Sequence, residues 1–447
     1  MLYAVKSGRK DTVEYLFSRG LSLNEKDEIS RNGLHWAADN NNFEVFEFLI
    51  ENGVDFKAKA NFGETAFLLA ASNGSKRLVE YLVEKGVDIN EVDENNCNAL
   101  IKLGNSNYTG LAQYLIDKGI NLNHQDISGL NALQTALCFG SNELCRLLIE
   151  NGINVNSKDN EGKTALLNIN LNKEIIQLLL EKGADINARD NQGRSALFFV
   201  SDKESIEYLI EKGIQTNIIA NDGKTALHAA CDNYRVNLEA IETLVKHGIG
   251  TNVKDNEGKT ALFYAANIGR SEYVEYFINN GFDINEKDNE GQSLIFTPIL
   301  YEYLDVVKFL IKKGIDKTVK NEQGQSAFLV ASRRGTIELV ELLIEKGFET
   351  NEKDNDGNNC LLLAAEYGST HLVEYFNEKG FDLHIKNKKG KTALHLSSEN
   401  GHIEIVRFLV EKGFDINEKD TNGKTALNLA DENERTEVID YLKEKGE

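Results

Sequence analysis

Short apolar blocks alternate with polar turns along the whole chain, and the blocks come in two textures. One is rich in small residues, as in ALHAA and FLLAAS, and follows directly on a Ser, Thr or Asn. The other spaces its apolar residues at helical intervals, as at Leu78, Val79, Leu82 and Val83, with Glu and Lys on the opposite face. Each pair of blocks closes on a glycine, usually within EKG or ENG. That glycine falls at Gly20, Gly53, Gly86, Gly119, Gly152, Gly183, Gly213, Gly248, Gly281, Gly314, Gly347, Gly380, Gly413 and Gly446, in steps of 33, 33, 33, 33, 31, 30, 35 and then 33 throughout. Fourteen units on one period cover the chain and predict a single repeat array over residues 1–447. Its first unit lacks a turn at its start, and irregular-length units occupy about residues 159–254.

Each unit reads as turn, short helix, second helix and glycine cap. A polar turn such as DNEG or DNDG supplies a hairpin tip, with glycine where a positive φ is needed. Two residues later stands the N-cap of the first helix: Asn32, Thr65, Asn98, Asn131, Thr164, Ser195, Thr225, Thr260, Ser293, Ser326, Asn359, Thr392 and Thr425. The closing glycine ends the second helix in a left-handed cap. Ser30 and Asn96 take the place of the tip glycine in units two and four. The fold class expected is an all-α repeat solenoid with β-hairpin tips.

The recurring DNEGKTAL, at 159–166 and again at 255–262, contains the Gly-Lys-Thr that ends a phosphate-binding loop. Such a loop needs a glycine five residues before that Gly, and Ser157, Ile218, Val253, Ile385 and Glu418 stand there instead. The motif is therefore turn and cap.

Composition narrows the function. The net charge of −21 disfavours nucleic acid and favours a partner with a basic surface. The start, MLYAVKSGRK, has no apolar core of a leader, and no apolar run reaches the ~20 residues of a membrane span. Five cysteines without a C-x-x-C suggest free thiols in a reducing compartment, cytoplasmic with the nucleus also open. Neither a metal site nor a cofactor is expected.

The pattern resembles the ankyrin repeat family, on TALHAA at 225–230 and TALHLSSENGHIEIVRFLVEKGFDIN at 392–417. The family's proline after the cap is replaced mostly by Ala. The resemblance implies an extended concave face of tips and first helices that binds other proteins. It also gives His35, His228 and His395, at one equivalent position, a hydrogen-bonding role between neighbouring repeats. No Ser/His/Asp or Cys/His set stands apart from the repeat, so the expectation is a non-catalytic, monomeric scaffold. The alternative is the regulatory or targeting arm of a larger protein (an enzyme, a channel or a ubiquitin-ligase adaptor) truncated at its N-terminus.

Partner specificity is expected where units differ. Just before the turn between the two helices, Asp39–Asn40, Ser72–Asn73 and Glu399–Asn400 are bland. Units nine to twelve carry Asn267–Ile268, Leu300–Tyr301, Arg333–Arg334 and Glu366–Tyr367, each pair 33 residues from the last. Tyr and Arg are enriched at binding hot spots. The candidate contact row is Ile268, Leu300, Tyr301, Arg333, Arg334 and Tyr367, with Cys138–Phe139 as a smaller candidate. Pro298 should distort the first helix of unit ten, as a fifth helical residue behind a Ser293 cap or as the first residue behind Thr297. Irregular stacking, with a hinge, is expected over residues 164–246.

Overall fold

The computed structural model describes residues 1–446. Its regular structure is helical: 26 α-helices and four 3-10 turns. They fall into two compact bodies, one of Met1–Ala230 with Arg235–Gly250, the other of Cys231–Tyr234 with Thr251–Glu447.

Every repeat has an outer helix of nine residues, except Leu304–Lys313 with ten. Its apolar residues fall at i, i+1 and i+4, which gives one buried stripe. In Lys76–Glu84 that stripe is Leu78, Val79 and Leu82, and in Ile403–Glu411 it is Ile405, Val406 and Leu409. Inner helices are buried more fully. In Ala66–Ser72 all residues from Ala66 to Ala71 are buried, because each inner helix is covered by the inner helices on both sides and by its own outer helix. Alanines allow that approach, and the larger neighbours supply ~1.5–3 kcal/mol per fully buried side chain.

The caps work largely as the sequence predicts. Side-chain oxygens of Asn32, Thr65, Asn98, Asn131, Thr260, Ser326, Asn359, Thr392 and Thr425 accept first-turn N–H groups. All fourteen closing glycines have positive φ. A Cβ there would meet nothing within 4 Å, so conformation, not space, selects glycine.

The tips are tight turns. In DNEGKTAL, Asp159 Oδ1 accepts N–H groups from Glu161 and Lys163 at 2.9 and 2.8 Å, and the Gly162 N–H donates to the Asp159 carbonyl at 2.9 Å. Successive tips are joined by backbone bonds, Asn160 N–H to Ser128 O at 3.0 Å and Asn191 N–H to Glu161 O at 2.9 Å. The second body repeats the device with Asn355 on Gln323 and Lys388 on Asp356, both at 2.9 Å. Several tip glycines do need space: a Cβ on Gly129 would lie 2.9 Å from the Asn160 nitrogen. Ser30 and Asn96 hold the tip geometry at φ 63° and 58°.

Three expectations need correction. The tips form no strand among the described residues; isolated antiparallel bridges, Lys287–Ser293 and Lys320–Ser326, are what remains of a hairpin. In most turns an aspartate or asparagine side chain bridges the backbone N–H groups a strand ladder would have used. Thr164 and Ser195 make no cap bond to a side-chain oxygen, because repeats six and seven have lost two and three residues and keep only the 3-10 turns Ala165–Leu167 and Ala196–Phe198. Neither arrangement expected around Pro298 occurs. The helix is Phe296–Leu300 with Ile295 as N-cap, so Pro298 is its third residue. The first turn has no internal acceptor for that N–H, so the proline costs no bond there.

The 3-10 turns lead to a prediction. Backbone amides of residues 165–171 and 196–202 should exchange faster than those of the full inner helix Ala132–Phe139, because fewer helical bonds hold them. Mass-spectrometric hydrogen exchange as slow at both turns as in Ala132–Phe139 would remove the basis for a hinge.

One inter-repeat contact is sensitive to pH. The Thr260 hydroxyl donates to Glu286 of the following repeat, and burial pushes that carboxyl up to about 7 despite the bond. A carboxyl raised on folding binds its proton more tightly in the folded chain, so stability falls as pH rises from about 4.5 to 7 and is flat above. Glu286→Gln should stabilise the second body by about 1–2 kcal/mol at pH 8, discounted for partial exposure, and by little at pH 4. Urea unfolding at both pH values checks this.

Candidate functional site

Inner helices and tips present the variable side chains. Ile268, Tyr301 and Tyr367 are the C-cap residues of Ala261–Asn267, Phe296–Leu300 and Cys360–Glu366. Arg334 ends Ala327–Arg334, whose cap is Gly335. These helices pack side by side in order, so the 33-residue spacing puts these four positions at the same end of successive helices. Tyr301 and Tyr367 are 58% and 47% exposed, unusual for tyrosines of a structural role. Arg334 is exposed, while Ile268, Leu300 and Arg333 are half-buried.

The two arginines point to different tasks. The Arg333 guanidinium lies 4.4 Å from the centre of the Tyr367 ring in the next repeat. It also lines a cleft of about 260 Å³ with Phe263, Phe296, Leu300 and Val330. Arg334 stands clear at the helix C-terminus, where the helix dipole favours a cation. Among the described residues, neither arginine is in an ion pair, whereas Arg31, Arg146, Arg194 and Arg270 each meet a carboxylate. Beside them, Glu366 is held above the usual carboxylate range by burial, then by Asp354 and Glu399, with Arg333 opposing. Of the row, Leu300 and Arg333 line the cleft, and Ile268, Tyr301, Arg334 and Tyr367 lie outside it.

Sequence reading missed Tyr303. Its ring stacks on Tyr301 at 5.9 Å and covers Gly269 of the preceding repeat, where a Cβ would fall 2.7 Å from it. The same position recurs as Ser369 over Gly335 and His402 over Gly368. Each glycine thus seats the residue that opens the next repeat's outer helix, and the signal for it was the 34-residue offset between the two.

A second cleft, of about 540 Å³, lies in the first body where repeats six and seven lose their inner helices. Leu130, Cys138, Leu167, Ile169 and Phe199 form its apolar lining. Cys138 is exposed there, and Phe139 beside it is 63% exposed.

The histidines that follow the N-caps are engaged in structure. His35 Nε2 reaches the Glu64 carbonyl of the next repeat at 3.1 Å, and His395 Nε2 reaches that of Glu418 at 3.0 Å. Burial, the largest cause, lowers the pKa of both. His228 Nδ1 accepts from the Thr225 N–H at 3.1 Å. All five cysteines are free. Burial pushes the thiols of Cys145 and Cys360 up to about 12 and that of Cys97 to about 11, away from reactive thiolate character. Among the described residues, no group of three His, Cys, Asp or Glu is arranged to hold a metal, and no helix is long and apolar enough to cross a membrane.

Paired helices on one period, bonded tip to tip, define a helical repeat solenoid whose variable residues lie on its inner helices. The chain belongs to the ankyrin repeat family. The model for ankyrin repeats in three copies matches residues 34–126, 104–190, 167–255, 234–321, 316–387 and 361–447, and that for many copies matches 1–50. Proteins of this family are in general protein–protein interaction modules and typically not catalysts. No curated protein matches the chain.

Proposed function

We propose that the chain is a non-catalytic scaffold that binds a partner protein through its tips and inner helices, with Ile268, Leu300, Tyr301, Arg333, Arg334 and Tyr367 as the contact row. One observation carries this reading: two exposed tyrosines flank an arginine pair that has no ion-pair partner, beside a cleft. Tyr and Arg are among the residue types that dominate interface energetics. All six residues lie in the second body, so one copy of the chain carries the whole row, which is compatible with a scaffold acting as a monomer. An intracellular setting, cytoplasmic or nuclear, is supported by the free thiols. The overall charge of −21 supports a partner with a basic surface.

The test is affinity capture from the source cell with the whole chain as bait, in parallel with the variant Tyr301→Ala, Arg334→Ala, Tyr367→Ala. A genuine partner should be recovered by the wild-type chain and lost with the variant. Equal recovery by both would place binding elsewhere.

A further inference from the structure

The contact row just proposed carries two arginines without an ion-pair partner, beside a cleft whose lining also includes Asp288 and Glu290, and the chemistry of its ligand follows from the arginines. The sequence has 71 acidic and 50 basic residues, so its far field is negative. At physiological ionic strength that field is screened over ~8 Å, and the nearest groups decide what binds. The nearest groups here are Arg333 and Arg334, adjacent in sequence, neither in an ion pair among the described residues. The carboxylate alongside, Glu366, is half-buried and does not reach ion-pair distance of either. The contact with the Tyr367 ring restricts the Arg333 guanidinium, which lowers the ordering cost of a new bond.

We infer that the row takes a short acidic segment of the protein partner, with one carboxylate on Arg334, a second on Arg333, and an apolar side chain in the cleft of Phe263, Phe296, Leu300 and Val330. The guanidinium fork matches a carboxylate with two parallel N–H···O bonds. Tyr301, stacked on Tyr303, and Tyr367 flank the pair and exclude water from those bonds. The partner is thus acidic at this point whatever the charge of the rest of its surface.

Three short synthetic peptides test this. They share one frame of Leu and Tyr, and their alternate positions are filled with Glu, Gln or Lys. Each is titrated into the full chain labelled at its Ile and Leu methyl groups, and the Ile268, Ile299 and Leu300 methyl signals report binding at the row. The Glu peptide should move these signals and bind at least about tenfold more tightly than the Gln peptide, with the Lys peptide weakest. Added salt should weaken the Glu peptide selectively. Arg333→Ala with Arg334→Ala should abolish its advantage. Arg334→Ala alone, at an exposed residue, should remove most of it and serves if the double variant fails to fold. Equal affinity for Glu and Gln peptides, or preference for Lys, with the row signals still moving, overturns the acidic segment and leaves the row in place. Row signals unmoved by all three peptides overturn both.

Discussion

Phe328→Ala should lower the stability of the second body by about 3–5 kcal/mol. Phe328 is fully buried in the inner helix Ala327–Arg334, and its ring meets that of Phe376 in the next repeat's outer helix edge-on, with centroids 6.2 Å apart. Removing it deletes transfer free energy and leaves a void. The tip of its repeat is tied to the next by the Asn355 N–H on the Gln323 carbonyl, and the close-packed surroundings have little room to collapse. Because each repeat touches only its neighbours, the loss should be felt first as uncoupling of repeats eleven and twelve. Urea unfolding, with hydrogen exchange at residues 327–334 and 370–378, checks this. A loss below about 1 kcal/mol would mean that the joint between these repeats does not depend on the aromatic pair.

Tyr301→Ala, Arg334→Ala and Tyr367→Ala together should weaken partner binding at least about a hundredfold, equivalent to ~2.7 kcal/mol. Each hot-spot truncation costs ~1–2 kcal/mol or more, and the sum is reduced because the residues are neighbours. Stability should change little. All three side chains are exposed, and the internal losses are the contact of Arg333 with the Tyr367 ring and the stack of Tyr301 on Tyr303, each worth ~0.5–1 kcal/mol at such a site. The control is Asn40→Ala with Asn73→Ala, at equivalent positions of repeats two and three. Asn40 Nδ2 bonds the Trp36 carbonyl at 2.9 Å and Asn73 Nδ2 the Asp39 carbonyl at 3.1 Å, so both serve the fold locally. Affinity should be unchanged in the control by calorimetric titration. Equal losses in the two variants would reduce the row to ordinary surface variation.

Much of this molecule was legible because its repeat reuses the same backbone solutions. A glycine at positive φ every 33 residues, and a Ser, Thr or Asn two residues after each tip, mark helix ends by steric and hydrogen-bonding needs that packing does not override. The errors arose where two local rules competed. Ser293 fits the cap pattern, but Pro298 five residues on moves the helix start to Phe296. Thr164 and Ser195 fit it too, yet their repeats lack the residues to continue a helix. At the candidate site, spacing gave the position of each residue along its helix but no side-chain direction. Nothing in the sequence separates Arg333, turned onto Tyr367, from Arg334, turned outward. Tyr303 escaped notice because its role depends on Gly269 in another repeat.

Hydroxyl-radical footprinting of the chain with and without its captured partner tests the contact row most directly. In the free chain Tyr301, Tyr367, Tyr234 and Tyr3 should all be labelled, being 58%, 47%, 71% and 89% exposed. Partner binding should protect Tyr301 and Tyr367 and leave Tyr3 and Tyr234 unchanged. Undiminished labelling of Tyr301 and Tyr367 in a saturated complex would contradict the assignment of this row as the binding site.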